Sequence, residues 1–283
     1  MLDAVIVGSG PAGLSAAINL KLHEKDLVWF GSPDFSDKVE KSKKIANYPG
    51  AGMISGAQLN ARFLAHAREM GLEPEDRKVT NVMPSDGAVM VLADNEVYET
   101  KTLLLATGVL TAKSYEGEEE LLGRGVSYCA TCDGFLYKGK TIAVFCGARR
   151  YEHEAEYLAG LAEKVYLSAG YPDPGVKLPN VEMISPVKAV RGEERVTAVE
   201  LHDGRVIGVD GLFILRNAVA PGTLVPGIAA EGPHIVVDRT QATNLPGIFA
   251  AGDCTGRPYQ IAKAVGEGNV AAHAMLEYLA KMK

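Results

Sequence analysis

The fold is decided near the start of the chain, where residues 3–13 read DAVIVGSGPAG. The apolar run at residues 4–7 is typical of a strand that is buried on both faces of a parallel sheet. Apolar residues at helical spacing follow at 14–22, and a second apolar run at 27–30 ends in Gly-Ser-Pro. A strand, a tight turn, a helix and a second strand in this order predict a βαβ unit.

Three glycines lie in the turn of this unit. Gly8, Gly10 and Gly13 fit the pattern G-x-G-x-x-G, directly after the predicted strand and directly before the predicted helix. The first glycine allows the turn, the second admits a pyrophosphate to the backbone N–H groups, and the third permits close packing of helix and strand. We therefore expect a dinucleotide site here. An acidic residue for the ribose is expected about twenty residues later, and there only Asp34, in a predicted loop, is available.

The second half of the chain repeats this organisation, with a predicted strand at 142–145 and a predicted helix at 151–161. We therefore predict an α/β protein of two Rossmann-like, three-layer, dinucleotide-binding-type domains, with the second inserted in the first. The expected boundaries place residues 1–112 and 238–283 in the discontinuous first domain and residues 113–237 in the inserted one.

The composition argues against several classes of protein. Hydrophobic residues make up 47% of the 283 and charged residues 23%, which indicates a folded protein rather than a disordered chain. The formal charge of −6 argues against a nucleic-acid-binding protein, because such proteins carry a clustered basic excess. No uninterrupted apolar stretch reaches the roughly 20 residues of a membrane span, and no charged segment precedes an apolar one near Met1. We therefore expect a soluble, cytoplasmic protein that binds neither nucleic acid nor membranes.

A C-x-x-C motif lies in the sequence YCATCDG. A zinc site needs a second pair of ligands, and the other two cysteines, Cys146 and Cys254, are single and far apart. Two cysteines at this spacing can form a dithiol/disulfide redox couple, in which each thiol affects the pKa of the other. We therefore interpret Cys129 and Cys132 as a redox pair, expect no metal site, and interpret the other two cysteines as buried apolar residues. Asp133 directly follows the pair and could transfer a proton, or could instead cap a helix N-terminus.

Four motifs together resemble the low-molecular-weight thioredoxin reductases, in order and over essentially the whole chain: GSGPAGLSAA (8–17), ATG (106–108), CATCDG (129–134) and GIFAAGD (247–253). The resemblance implies a homodimeric FAD enzyme that reduces thioredoxin, in which the discontinuous domain binds FAD and the inserted domain carries the redox pair. It also implies that Cys132 faces the flavin, that Cys129 attacks the thioredoxin disulfide and that Asp133 is the acid–base residue. By the same resemblance, the residues expected to bind FAD are Gly8, Ser9, Gly10, Pro11, Ala12, Gly13, Asn47, Thr107, Gly108, Gly252, Asp253, Gln260 and Ile261.

The chain departs from this family where the second domain would bind NADPH. The family has a second turn of the form G-x-G-x-x-A, and its three defined positions here are Cys146, Ala148 and Tyr151. A Cβ at Ala148 obstructs the approach of a pyrophosphate, and Tyr151 crowds the contact between helix and strand. The next predicted strand is followed by SAGY at residues 168–171, with no arginine for a 2′-phosphate.

Loss of the nucleotide motifs without loss of the redox pair or the FAD motifs implies another source of electrons. In this respect the chain is similar to the ferredoxin-dependent flavin thioredoxin reductases. This similarity implies that a one-electron carrier, ferredoxin, reduces the flavin. Two alternatives stay open at this point: a thioredoxin reductase with an atypical NADPH site, and a flavin-bound redox sensor without turnover.

Two basic clusters are candidates for docking an acidic ferredoxin, which the net negative charge of the chain would otherwise repel. The alternative for both clusters is a solvated surface, and Asp37 and Glu40 lie among the lysines. Of the two clusters, the arginine pair has the better claim to docking, because it lies in the turn that would otherwise hold a nucleotide. The candidate residues are Lys38, Lys41, Lys43 and Lys44 after the second strand, and Arg149 and Arg150 in the altered turn.

Overall fold

The computed structural model describes residues 1–109, 115–216 and 221–282, apart from the side chains of residues 221 and 223. The described residues form two compact units. The first unit holds residues 1–109 and 221–282, and the second holds residues 115–216. The expected boundary between residues 112 and 113 lies outside the described residues.

The part of the first unit at 1–109 contains the predicted βαβ unit and a β-meander. Its elements are β1 (Leu2–Val7), α1 (Pro11–Leu22), β2 (Leu27–Phe30), α2 (Asp37–Glu40), α3 (Gly56–Glu69), β3 (Val79–Ser85), β4 (Ala88–Ala93) and β5 (Glu96–Leu105).

The second unit contains a βαβ unit of its own and an antiparallel sheet. Its elements are β6 (Val126–Ser127), α4 (Ala130–Asp133), β7 (Thr141–Cys146), α5 (Glu152–Leu161), β8 (Lys164–Ala169), β9 (Val181–Met183), β10 (Val187–Arg191), β11 (Ala198–Leu201), β12 (Val206–Gly208) and β13 (Gly211–Leu215), with 3₁₀ turns at Gly134–Tyr137 and Arg149–Tyr151.

The remaining part of the first unit ends in a long helix. Its elements are α6 (Pro221–Leu224), β14 (Ala230–Glu231), β15 (His234–Ile235), β16 (Ile248–Ala250), a 3₁₀ turn at Asp253–Thr255 and α7 (Ile261–Lys281).

β1 lies inside the sheet of the first unit, whose order is β2-β1-β5-β4-β3, with β16 pairing in parallel with the carboxyl-terminal part of β5. β1 is parallel to both β2 and β5. Its side chains alternate between two cores: Ala4 and Ile6 pack with residues of α1 and α7, while Val5 and Val7 pack with residues of β3 and β4. Because both faces are covered, the strand is apolar throughout rather than alternating, as its sequence predicted.

The segment from residue 221 to 237 packs in the first unit. Leu224, Val225, Ile228 and Ile235 are buried in the same core as Val5. This packing differs from the expected boundary at 237/238, which assigned the segment to the inserted domain. The difference arises because the segment has no helical or strand periodicity of its own, so that only its tertiary contacts show which core it joins.

The second unit has a five-stranded, all-parallel sheet in the order β6-β13-β7-β8-β9. All five residues of β13 are buried, as expected for a strand inside a sheet that is covered on both faces. A separate antiparallel sheet has the order β10-β11-β12. The predicted α/β class with two Rossmann-like domains is confirmed. Among the described helices, none has the length and apolar character needed to span a bilayer.

Candidate functional site

The N-terminal glycine turn has the geometry of a cradle for an anion. Gly8 has a φ of +119°, and an added Cβ would lie 2.1 Å from the carbonyl oxygen of Ala106. An added Cβ at Gly13 would lie 1.9 Å from the carbonyl oxygen of Gly8. At Gly10, in contrast, an added Cβ would meet no heavy atom within 4 Å, and no side chain caps the first turn of α1, which begins at Pro11. Uncapped N–H groups beside open space suit the pyrophosphate of a dinucleotide.

Ser9, Thr107 and Gly108 lie at the same end of the sheet as this turn. The Ser9 side chain is buried, and its Oγ donates a hydrogen bond to the carbonyl oxygen of Phe35 at 3.2 Å, so that it positions the chain after β2. Thr107 and Gly108 follow the carboxyl end of β5, directly beside the carboxyl end of β1. Ligands of open α/β sheets bind at this end of the strands.

The second predicted FAD motif packs against the start of α1. Gly252 has a φ of +90°, and an added Cβ would lie 3.0 Å from the Cβ of Ala12. Asp253 follows it, and its Oδ2 lies 2.6 Å from the Nζ of Lys38. Lys38 Nζ also lies 4.8 Å from the ring centroid of Tyr259. The predicted FAD residue Asp253 therefore already has a cationic partner.

Asn47 and Gln260 are 213 positions apart in sequence, yet their side chains meet. Asn47 Nδ2 donates a hydrogen bond to Gln260 Oε1 at 2.7 Å, immediately before Ile261 begins α7. Both residues are exposed, so their amide groups are free to exchange this bond for a ligand. The structure thus brings together the predicted FAD residues from four separate parts of the chain.

Sequence reasoning missed a lysine that organises the loop after Gly252. The Lys263 Nζ donates to the carbonyl oxygens of Gly252 and Gly256, each at 2.9 Å, and pairs with Glu267 Oε2 at 2.9 Å. Glu267 in turn accepts the N–H of Gly252 at 2.8 Å. The only signal in the sequence is a Lys and a Glu four residues apart on α7, a spacing found on many exposed helix faces.

Cys129 and Cys132 form a disulfide at the start of α4. The backbone N–H of Cys132 donates a hydrogen bond to the Cys129 Sγ at 3.1 Å. Cys129 is 9% exposed, Cys132 is half-buried, and Thr131 between them is exposed. A sulfur that accepts a backbone N–H is better able to carry negative charge after reduction, which favours Cys129 as the thiolate.

Asp133 does not cap a helix with its side chain. Cys129 is the N-cap of α4, and the 3₁₀ turn after Asp133 has no side-chain cap. The Asp133 Oδ2 instead lies 2.6 Å from the Oγ of Ser127, a residue that sequence reasoning did not single out. Asp133 thus occupies the N-cap position of that turn without a capping hydrogen bond from its side chain, and its half-buried carboxyl group lies in a hydrogen-bonded network next to the disulfide.

A buried ion pair supports the residue that precedes the disulfide. Glu118 is fully buried and pairs with the guanidinium of Arg216. The Tyr128 hydroxyl donates to Glu118 Oε1 at 2.6 Å, and the N–H of Tyr115 donates to Glu118 Oε2 at 2.8 Å. Burial raises the pKa of the Tyr115 hydroxyl to about 12, and burial and the Glu118 hydrogen bond raise the pKa of Tyr128. Both phenols therefore stay protonated at neutral pH.

The altered turn of the second unit is occupied by its own side chains. Glu152, in the first turn of α5, accepts hydrogen bonds through Oε1 from the N–H of Gly175 at 2.7 Å and from the Tyr171 hydroxyl at 2.8 Å. The Gly175 N–H lowers the pKa of Glu152. Arg149 donates to the carbonyl oxygen of Asp173 at 3.0 Å, and its guanidinium lies 5.7 Å from the Tyr171 ring. The Glu152 carboxylate and the hydrogen-bonded segment that contains Tyr171, Asp173 and Gly175 thus lie at the amino-terminal end of α5. A helix N-terminus after a glycine turn is where the phosphates of a dinucleotide bind.

The predicted basic clusters differ in how free their charges are. Lys41, Lys43 and Lys44 are exposed, and within the described part of the chain they form no ion pair. Lys38 is paired with Asp253, so its charge is not free for docking. The guanidinium of Arg150 lies 5.2 Å from the Tyr151 ring.

The family model described as pyridine nucleotide-disulphide oxidoreductase matches residues 2–166 and 176–268. A thioredoxin reductase of Listeria innocua is 32% identical, over 99% of this chain and 95% of its own length. A thioredoxin reductase of Aquifex aeolicus is 33% identical, over 99% of this chain and 94% of its own length.

Solved structures are also similar to this chain over nearly its whole length. A ferredoxin-flavin thioredoxin reductase from Clostridium acetobutylicum is 42% identical, with a TM-score of 0.92 and coverage of 99% of this chain and 98% of that one. A thioredoxin reductase from Gloeobacter violaceus is 31% identical, with a TM-score of 0.83 and coverage of 100% and 95%.

Proposed function

This chain belongs to the pyridine nucleotide-disulphide oxidoreductase family as a thioredoxin reductase-like flavoprotein with FAD as cofactor, and we propose that it reduces thioredoxin with electrons from ferredoxin. One observation carries the choice of electron donor. The second unit keeps a disulfide and its neighbouring carboxyl group, while the first turn of α5, directly after the altered glycine turn, carries the Glu152 carboxylate, which is hydrogen-bonded to Tyr171.

The residues present fit FAD. The open space at Gly10 and the uncapped first turn of α1 suit its pyrophosphate, while Asp253, Asn47 and Gln260 offer hydrogen-bonding groups nearby. FAD, when bound, accepts electrons one at a time and delivers them in pairs, which matches a one-electron donor to a disulfide.

The second unit supplies the thiol chemistry. We assign the attack on the thioredoxin disulfide to Cys129, because the N–H of Cys132 stabilises negative charge on its sulfur. We assign contact with the flavin to Cys132 and proton transfer to Asp133. Phe135 and Leu136 directly follow this segment and are 62% and 54% exposed, an apolar surface suited to a protein substrate.

The FAD site can be tested separately from catalysis by two glycine substitutions. Gly10→Val is expected to fold normally, because the backbone at residue 10 is extended and no atom lies where the new Cβ would be. It is expected to weaken FAD binding by more than about tenfold, since the side chain occupies the space beside the uncapped N–H groups. The binding of FAD to apoprotein, followed by flavin fluorescence, measures this loss.

Gly8→Val is the matched control for that experiment. It is expected to lower the stability of the apoprotein itself, because a Cβ at this position lies 2.1 Å from the Ala106 carbonyl oxygen. Parent-like FAD affinity in a folded Gly10→Val variant contradicts the assignment of this turn to FAD.

We propose that ferredoxin docks at the surface formed by Lys41, Lys43 and Lys44. These lysines follow α2, which carries Lys38 beside Asp253, so their charges lie close to the proposed flavin site. Lys41→Glu/Lys44→Glu is expected to slow flavin reduction by ferredoxin by about tenfold at low salt, because opposite charge accelerates encounter. The loss is expected to shrink above about 0.1 M salt, where the Debye length falls to about 10 Å. Stopped-flow flavin bleaching by reduced ferredoxin measures both effects.

Three control measurements accompany this variant. Lys21→Glu/Lys281→Glu makes the same change in net charge on exposed residues near the ends of α1 and α7 away from the glycine turn, and it is expected to keep the parent rate. Arg149→Glu/Arg150→Glu tests the altered turn in the same way. Reduction by dithionite is expected to be equal in all variants. Equal ferredoxin rates for the Lys41/Lys44 and Lys21/Lys281 variants remove the lysine surface from the docking site.

We also propose that the protein is a homodimer, as the resemblance to the family implies, and that it is located in the cytoplasm. Light scattering of the FAD-loaded protein tests the dimer, with a mass of twice 30.1 kDa expected. A single-chain mass at micromolar concentration contradicts it.

A further inference from the structure

Ser127 is a buried serine whose hydroxyl group joins the disulfide segment to Asp133. It is 4% exposed and lies at the end of β6, two residues before Cys129. Its Oγ lies 2.6 Å from Asp133 Oδ2 and 3.2 Å from the carbonyl oxygen of Cys129, and it accepts the N–H of Cys129 at 3.1 Å. The single hydroxyl group thus contacts both the carboxyl group and the backbone of the first redox cysteine.

Two hydrogen-bonding patterns pair every donor and acceptor in this network, one for each protonation state of Asp133. A serine hydroxyl has one proton to donate and two lone pairs. With Asp133 ionised, Ser127 donates to the carboxylate, and the Cys129 carbonyl oxygen keeps the N–H of Asp133 as its donor. With Asp133 protonated, the carboxyl O–H donates to Ser127 Oγ, and the Ser127 hydroxyl rotates to donate to the Cys129 carbonyl oxygen. The N–H of Cys129 donates to Ser127 Oγ in both arrangements.

We propose that Ser127 is a positioning residue for proton transfer, a hydroxyl rotor that lets Asp133 gain and lose a proton without leaving any group of the network unpaired. Without such a neighbour, the Oδ2 of Asp133 would have to give up this hydrogen bond in one of its two states, at a cost in free energy. This inference rests on the proposed function, in which Asp133 handles a proton of the dithiol.

The reaction that needs this proton is exchange between the reduced pair and a disulfide substrate. The Cys129 and Cys132 thiols lose two protons and two electrons as their disulfide forms, and the two substrate sulfurs gain the same two electrons and two protons. Asp133 accepts one of these protons, and it can do so only while it is ionised. Protonation of the Cys129 thiolate also lowers the rate at low pH, so the contribution of Asp133 is the difference between the pH profile of the parent and that of Asp133→Asn.

Ser127→Ala is expected to move the part of the profile that depends on Asp133 to higher pH by about one unit, which is a tenfold change in the proton affinity of the carboxylate. The ionised carboxylate loses a charge-assisted hydrogen bond, whereas the protonated carboxyl group loses only a weaker neutral one, so that the protonated form is favoured. The protein is reduced with dithiothreitol, freed of excess reagent, and mixed at about pH 4 to 9, a range that includes the ordinary titration of a carboxyl group, with either a small aromatic disulfide or thioredoxin. The single-turnover rate with each is measured against pH.

Three further variants separate positioning from general damage. Ser127→Thr keeps the hydroxyl group and is expected to restore the parent profile. Ser168→Ala removes another buried serine of the same unit, whose hydroxyl has no partner among the described residues, and is expected to leave the profile unchanged. Asp133→Asn removes the carboxyl group, and adding Ser127→Ala to it is expected to change nothing further, because Ser127 acts through Asp133.

Two results overturn the inference: a Ser127→Ala profile that superimposes on that of the parent, or an effect of Ser127→Ala that is undiminished in the Asp133→Asn background. If Ser127→Thr does not fold, the comparison of Asp133→Asn with Asp133→Asn/Ser127→Ala still shows whether Ser127 acts through Asp133. Failure of the proposed function has a different signature, in which the reduced parent protein reacts with the small disulfide but not with thioredoxin. The pH profile with the small disulfide then still tests the rotor.

Discussion

Cys132→Ser is expected to abolish electron transfer from FAD to thioredoxin while FAD stays bound. The substitution removes one sulfur of the disulfide, whereas the residues expected to bind FAD all lie in the first unit. Loss of a residue that takes part directly in covalent chemistry typically lowers turnover by more than about a thousandfold. Release of thioredoxin thiols with reduced ferredoxin as donor measures the loss, and the flavin absorbance of the purified variant shows that the cofactor is retained.

Cys129→Ser is expected to block the same reaction at a different step. It leaves the Cys132 thiol in place but removes the sulfur that accepts the Cys132 N–H, so that exchange with thioredoxin is lost. Cys146→Ser makes the same chemical change at a buried cysteine of the same unit that forms no disulfide, and it is expected to retain activity. If either variant of the redox pair is as active as the Cys146 variant, the assignment of the pair is wrong.

NADPH is expected to leave the bound flavin oxidised, whereas reduced ferredoxin is expected to bleach it within seconds. Glu152 places a carboxylate in the first turn of α5, and the segment holding Tyr171 and Gly175 is hydrogen-bonded to it. Because the pKa of Glu152 is lowered, the group stays negative at neutral pH and repels a phosphate. Arg149 is engaged by the carbonyl oxygens of Pro172 and Asp173. Without a phosphate partner, NADPH affinity falls by more than about a hundredfold.

The measurement is anaerobic flavin absorbance after addition of NADPH, NADH or ferredoxin reduced beforehand. Dithionite serves as the positive control, since it reduces the flavin without a docking site. Stoichiometric bleaching at micromolar NADPH contradicts the prediction and supports an NADPH-dependent thioredoxin reductase with an atypical nucleotide site. Bleaching by ferredoxin without release of thioredoxin thiols supports a redox sensor without turnover.

Local features of the sequence predicted the elements that carry the site. The strand, turn and helix at 3–22 follow from an apolar run and from the glycines of the turn. In the structure, an added Cβ at Gly8 or Gly13 would collide with a backbone oxygen. The disulfide between Cys129 and Cys132 follows from their spacing of three positions. Such features lie within a few residues of each other, where hydrophobic periodicity and backbone sterics act directly. The loss of the nucleotide motif was visible for the same reason, because a glycine turn is defined within six residues.

Only the tertiary structure decided which distant polar groups meet. Asn47 and Gln260, and Lys38 and Asp253, are more than two hundred positions apart, and Glu118 and Arg216 are separated by 98. No local rule relates such pairs. The first two contacts depend on the strand order that returns β16 and α7 to the first unit, and the contact of Glu118 with Arg216 depends on the return of β13 beside β6 in the second unit. The pairing of Lys38 changed its role from a free docking charge to a partner of the proposed FAD residue. Ser127 and Asp133 are only six positions apart, but their oxygens approach to 2.6 Å because the chain enters the helix α4 after β6 rather than continuing as a strand. Periodicity follows from repeated local geometry, whereas a hydrogen bond across a turn or between distant segments requires the backbone path that the whole fold provides.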